Sequence, residues 1–216
     1  MLYGLRLGPT GCRAARALRT VAAAAACVWL AVSGAHAGDR EDATLAVERF
    51  QATLIDVMKE AGRLGYDGRY RKLDPAVRRS HDLPRISEIA AGRHWRAFDE
   101  AQRARLVDTF SRWTVGTYAL RFDSYSGQVF RTESAEADAR GDVLVRSVML
   151  RPNDPPIHFD YVLRRRDDAW RIVNIIVDGV SDLAIRRAEF ASMLSRDGFD
   201  ALIAQLEAKI ADYARP

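Results

Sequence analysis

Cysteine is almost absent from this chain. Of 216 residues only Cys12 and Cys27 are cysteines, and both fall within the first 37. Beyond that segment the sequence offers no thiolate nucleophile, no disulfide and no cysteine-ligated metal. Histidine is nearly as scarce. His81, His94 and His158 are the only ones after residue 37. None stands at H-x-x-x-H spacing with a third ligand nearby, so a zinc centre has little support and no cofactor is expected. A phosphate-binding loop is missing too: Gly62–Gly68 lacks both the lysine and the preceding strand. An excess of one charge is also lacking. The chain has 33 basic and 29 acidic residues, but Arg6, Arg13, Arg16 and Arg19 precede residue 38 without a single acid, leaving 29 of each sign beyond it. The pI of 9.3 therefore owes much to the N-terminal segment, and nucleic-acid binding is not expected. Finally, no apolar run reaches the ~20 residues of a membrane span. The longest candidate, Val21–Val32, has twelve.

That short run has a role of its own. A basic start, the apolar stretch VAAAAACVWLAV and the small residues of Ala35-His36-Ala37 together have the form of a secretory signal. The expected organisation is a signal peptide over residues 1–37 and a single domain over residues 38–216. The alternative is a retained N-terminal anchor. Lipidation at Cys27 fits less well, because the apolar run continues past it through Val28–Val32. Export together with the lack of cysteine fits a periplasm.

The remaining residues alternate in ways that predict elements. Val47, Phe50, Leu54, Val57 and Ala61 recur at helical spacing over residues 42–62, with Gly62 as a stop. Asp74-Pro75 and Leu83-Pro84 each predict a short helix start, and Gly92 the end of the second. Residues 99–121 read as the clearest helix, capped by Asp99 and striped by Leu106, Phe110, Trp113, Thr117 and Leu120. Gly116 inside it costs about 1 kcal/mol against alanine, which suggests close packing on that face. Four strands follow, GQVFRTES, DVLVRSVML, PIHFDYVLRR and AWRIVNIIVD, with Arg166-Asp167-Asp168 as a hairpin turn. In the third, Ile157, Phe159, Tyr161 and Leu163 alternate with His158, Asp160 and Arg164, predicting one wetter face. The fourth is apolar on both faces and is expected to be central. Helices over 181–196 and 199–213 close the chain. Helices, a four-stranded meander, then helices predict an α+β fold with an antiparallel sheet.

Chemistry is harder to find. VDGVSDLAIRRAEF puts Ser181 at a strand–turn–helix junction, where a nucleophile elbow would need G-x-S-x-G. The second glycine is Leu183, so the motif fails. A serine with an acid beside it, Asp182, meets every requirement of a helix cap. His158 and Asp160 share a strand face and could form an oriented base, but an ordinary polar sheet face explains them as well. The basic stretches Arg69–Arg79 and Arg164–Arg166 could meet anionic headgroups or simply be solvated. Trp95, Trp113 and Trp170 and the other aromatics fit either a filled core or an apolar pocket between sheet and helices, which periodicity alone does not separate.

Three segments carry a resemblance to a known family: HWRAFDEAQRARLVDTFSRWTVGTYALRF, IHFDYVLRRRDDAWRIVNIIVDGVSD and LAIRRAEFASMLSRDGFDALIAQLEAKI. Trp95, Phe98 and Gln102 in the first, Asp160, Tyr161 and Leu163 in the second, and the Gly179–Ser181 turn resemble the MlaC family of periplasmic lipid shuttles, also called toluene-tolerance auxiliary proteins. The stretch VNIIVDG, where many members carry an aspartate near the position of Asn174, looks most like the hopanoid-biosynthesis-associated HpnM branch. The resemblance covers roughly residues 40–213. It implies an NTF2-like α+β fold with a hydrophobic cavity between sheet and helices. It further implies a hopanoid or phospholipid cargo, an inner-membrane ABC transporter with a lipid-binding subunit, an outer-membrane lipoprotein complex as a further partner, and a monomer without cofactor or catalytic residues. The candidate cavity residues are Phe110, Trp113, Tyr118, Phe159, Tyr161, Ile172, Phe190 and Leu206, any single one of which is more readily explained as ordinary core. Two other readings stand beside the carrier: an enzyme using Asp160 and His158 in the same pocket, and an adaptor that holds a membrane complex together and carries nothing.

Overall fold

The structure is a computed structural model that describes the backbone of residues 17–215 and the side chains of residues 38–215. The leader expected over residues 1–37 lies outside the described side chains, and residues 1–16 outside the described backbone. Asp39–Pro216 forms one compact unit. Among the described residues no helix is long and apolar enough to cross a membrane.

Helix α1 (Ala17–Lys59) buries Val47, Phe50, Leu54 and Val57 along the stripe that their spacing predicts. It ends before Gly62, and α2 (Ala61–Ser80) follows almost at once. The break in α2 comes at Gly65, whose φ of 59° lies in the left-handed region open to glycine. Pro75 does not start a new helix as expected. It sits inside α2, where burial of Leu73, Ala76 and Val77 outweighs the backbone bond that proline cannot make. Helix α3 (Leu83–Ala91) does start at Leu83-Pro84. Asp82 caps it by accepting from the Arg85 amide at 3.1 Å, and Gly92 ends it at a φ of 56°.

Helix α4 (Glu100–Arg121) opens on a full capping box, Asp99 accepting from the Gln102 amide and Gln102 from the Asp99 amide. Leu106, Phe110, Trp113 and Thr117 of its stripe are buried, but Leu120 is 43% exposed. The straight helix turns that last position out of the core. Gly116 has the neighbours its position suggests: a side chain there would meet the Tyr66 hydroxyl at 2.8 Å and the Tyr213 ring at 3.3 Å. Helix α2 and helix α6 (Gly198–Tyr213) therefore come close to α4 at one glycine.

The sheet is antiparallel in the order β1-β2-β3-β4-β5, with β1 (Val129–Ala137), β2 (Val143–Arg151), β3 (Asp154–Arg166), β4 (Ala169–Val177) and β5 (Val180–Ser181). The fifth strand, two residues long, was not expected. The β3–β4 hairpin turns on Asp167 and Asp168, both with positive φ (47° and 58°), as a tight two-residue turn requires. Strand β4 is not central. Over most of its length it is the edge, and its doubly apolar character has another cause. Helix α5 (Asp182–Arg196) covers one side, while the α2–α3 junction covers the open edge: the Asp82 amide donates to the Ile172 carbonyl at 2.9 Å and His81 bridges to Ile172. The Gln51 amide of α1 reaches Ser147 of β2 at 2.8 Å, so a polar bond ties helix to sheet inside the core. Helix α6 (Gly198–Tyr213) packs Leu202, Ile203 and Leu206 inward. The core thus lies between one face of the sheet and the helices.

Candidate functional site

Between the helices and the sheet is a cavity of about 380 Å³. Leu54 and Met58 of α1, Ile86 of α3 and Phe110 of α4 form its helical wall. Ile157, Phe159 and Tyr161 of β3, with Ile172 and Ile175 of β4, form its sheet wall. This face is apolar because alternation along β3 sends His158 and Asp160 the other way. Arg121, Ser124 and Arg151 lie at the more exposed end, and Leu183 and Arg186 of α5 also line it.

Five of the eight candidate residues, Phe110, Tyr118, Phe159, Tyr161 and Ile172, line this cavity together. Three do not. Trp113 faces α5 and α6, donating from Nε1 to the Tyr213 hydroxyl at 3.2 Å. Phe190 packs on the rings of Phe110 and Trp113 at 6.1 and 6.4 Å. Phe190 and Leu206 line a separate groove of about 200 Å³ between α5 and α6. Helical spacing put these three on inward faces correctly, but an inward face can meet another helix as well as a hollow.

Two polar residues of the cavity, His81 and Arg186, were not among the expected ones. His81 is fully enclosed. Its Nδ1 lies 2.9 Å from Ser80 Oγ and its Nε2 lies 3.0 Å from Tyr118 Oη. Burial lowers its pKa to about 4, so the ring is neutral at pH 7. Burial likewise pushes the Tyr118 hydroxyl well above its ordinary value. Arg186 is the other surprise. Its side chain is 8% exposed, its Nε donates to Asp182 at 2.5 Å, and its guanidinium lies 4.0 Å from the Trp113 ring centre. Trp113 thus bears on the cavity through the arginine it supports. The one sequence signal for this pair was an acid one helical turn before an arginine, DLAIR, which far more often marks a solvated pair.

Ser181 is a cap. Its Oγ accepts from the Ala184 amide at 3.2 Å and donates to Asn174 Oδ1 at 3.1 Å. Asn174 Oδ1 also takes the Leu183 amide, so it shares the capping of α5. His158 does not pair with Asp160. Its ring stands 3.9 Å from Glu133 of β1, on the sheet face away from the cavity, and its amide bonds Asp178. The oriented-base reading fails on this geometry.

Comparison with known proteins agrees with this architecture. A family profile described as MlaC protein matches residues 48–208. The chain is similar to the toluene tolerance protein ttg2D of Pseudomonas putida, with 26% identity over 136 residues. That alignment covers 62% of this chain and 61% of the relative, so the chain spans less than two thirds of that protein's length. It is also similar in fold to the phospholipid-binding protein from Ralstonia solanacearum, solved in complex with a phospholipid. The TM-score is 0.70 at 24% identity, over 82% of this chain and 98% of that one.

Proposed function

The chain belongs to the MlaC family, and from that premise we propose that it is a periplasmic lipid-binding carrier. It takes a lipid's apolar part into the cavity between sheet and helices. It then moves the lipid between inner and outer membranes as the soluble component of an ABC-type transport system. The observation that carries this reading is the cavity of about 380 Å³, walled by Leu54, Phe110, Phe159, Tyr161 and Ile172. Each methylene moved out of water is worth about 0.8 kcal/mol, so a free lipid faces a prohibitive barrier in an aqueous compartment. A preformed apolar hollow removes that barrier without bond chemistry. The partners on this reading are an inner-membrane ABC transporter with a lipid-binding subunit and an outer-membrane lipoprotein complex.

Phospholipid is the class bound by the Ralstonia neighbour, and hopanoid is the class suggested by the HpnM-like stretch VNIIVDG. Catalysis has less support, since Ser181 is engaged as a cap and His158 and Asp160 face away from the hollow. An adaptor that carries nothing needs no hollow at all. The reading is tested by lipid transfer between donor and acceptor vesicles held apart by a protein-permeable membrane. Transfer that rises with protein concentration supports it, and transfer no faster than without protein refutes it.

A further inference from the structure

Seven large apolar side chains are exposed among the described residues, and six of them stand where the cavity opens: Leu120, Tyr125, Val129, Leu150, Val180 and Ile185. Leu120 precedes Arg121, Tyr125 follows Ser124 and Val129 follows Gln128, and each of those neighbours lines the cavity. Leu150 lies between Met149 and Arg151, which both line it. Val180 pairs with Val177 of the lining, and Ile185 precedes Arg186. The seventh, Leu45, sits apart on α1, about 21 Å from the helix end at Lys59 by the rise per residue.

The fold ties these segments to one end. Val129 and Leu150 are partners across β1 and β2. A side chain on Gly127 would come within 2.9 Å of Pro152, so the loop after α4 rests on the β2–β3 turn. Lys59 Nζ, at the end of α1, lies 5.6 Å from the centre of the Tyr125 ring. Met149 pairs with Ile157, Phe159 with Val177, and Val177 with Val180, which carries the same end across the sheet to β5. Five strands at the usual spacing make that end ~19 Å wide.

Exposed apolar side chains are ordinary when single, but gathered on one surface they mark a partner. The middle of the group decides which. Protein partners anchor on a packed centre, and here the cavity opening lies among the apolar residues. A fluid layer of lipid can follow such a ring. Tyr125 and Lys59 together have the chemistry of a membrane interface: an apolar body with a polar tip, beside a long apolar stem with a charged head. Lys59 and Arg121 supply cations for lipid phosphates. Asp123 and Asp154 belong to the same end, so its charge is mixed and the apolar side chains carry the contact.

We propose that the open end of the sheet is a membrane-docking face. Its apolar side chains enter the boundary of a lipid bilayer, Lys59 and Arg121 meet the phosphates, and the cavity then opens onto lipid rather than water. The inference rests on the carrier reading and says how cargo enters and leaves: by contact with the bilayer.

For the test, protein expressed from the full chain is loaded with a fluorescent phospholipid. It is then mixed with vesicles of phosphatidylethanolamine and phosphatidylglycerol that contain a quencher. The unloading rate is expected to rise in proportion to vesicle concentration, as contact requires. Tyr125→Asp and the double variant Val180→Asp/Ile185→Asp are expected to load normally, because none of the three residues lines the cavity. Both are expected to unload about tenfold more slowly, from the apolar area they no longer bury in the bilayer. Leu45→Asp is the control and is expected to unload like the wild type. Rim variants that unload as fast as Leu45→Asp overturn the docking face and leave the carrier standing. So does a loaded wild type that does not respond to protein-free vesicles, which would give the rim to a protein partner. A protein that takes up no reporter overturns the carrier reading. Flotation of that protein with the same vesicles then decides the face alone. A wild type that floats while the rim variants do not supports it, and wild type and variants behaving alike overturns it.

Discussion

His81 Nε2 lies 3.0 Å from Tyr118 Oη, while its Nδ1 lies 2.9 Å from Ser80 Oγ, so the imidazole is held by hydrogen bonds on both sides. Burial keeps it neutral by lowering its pKa from 6.5 to about 4. The unfolded state takes up the proton first as pH falls. Stability from this group is therefore complete above pH 6.5 and is lost progressively from there down to pH 4. The total loss is about 3 kcal/mol, from ~1.4 kcal/mol per pKa unit. Urea unfolding between pH 7.5 and pH 4.5 is expected to show this slope, and His81→Gln to flatten it. Equal slopes in the two proteins would show that His81 is not the group responsible.

Leu183 looks into the cavity from the first turn of α5. Replacing it by tryptophan fills space that the cargo needs without disturbing the buried core. Leu183→Trp is expected to lose most of its bound lipid while Tm stays within about 3 °C of wild type. Full lipid occupancy in the variant would mean that the cargo lies elsewhere.

Gly116 presses against the Tyr66 hydroxyl and the Tyr213 ring. Gly116→Ala gains about 1 kcal/mol of helix propensity but forces two packed rings apart, at a cost of about 1–3 kcal/mol. A net destabilisation of about 1 kcal/mol is expected from this balance, read as a lower urea midpoint. A stabilised variant would contradict the tight contact between α2, α4 and α6.

Ser181 caps α5. Ser181→Ala is expected to cost about 1 kcal/mol, lowering Tm by about 2–4 °C, with lipid binding retained. Treatment of the wild type with a fluorophosphonate probe is expected to leave Ser181 unlabelled. Labelling at that residue would revive the nucleophile.

The elements were largely legible because their signals are local. The α4 stripe, Asp99 as a cap, the Asp167-Asp168 turn and Ser181 as a cap each depend on a few neighbouring residues. The errors came where distant contacts decide. Pro75 sits within α2 because the core holds Leu73, Ala76 and Val77 in place. Strand β4 reads as central because the α2–α3 junction and α5 cover it, which no local pattern reveals. The cavity divides the same way. Phe110 and Trp113 are equally inward by spacing, yet one meets the hollow and the other meets Tyr213 and Arg186. Arg186 was invisible, because a buried arginine and a solvated one have the same spelling.

The central claim is that the hollow between sheet and helices holds a lipid. Native mass spectrometry of gently purified protein, followed by extraction and identification of whatever is bound, tests it most directly. The account predicts one lipid per chain. Protein that is empty as purified, and remains empty after incubation with lipid vesicles, would contradict it.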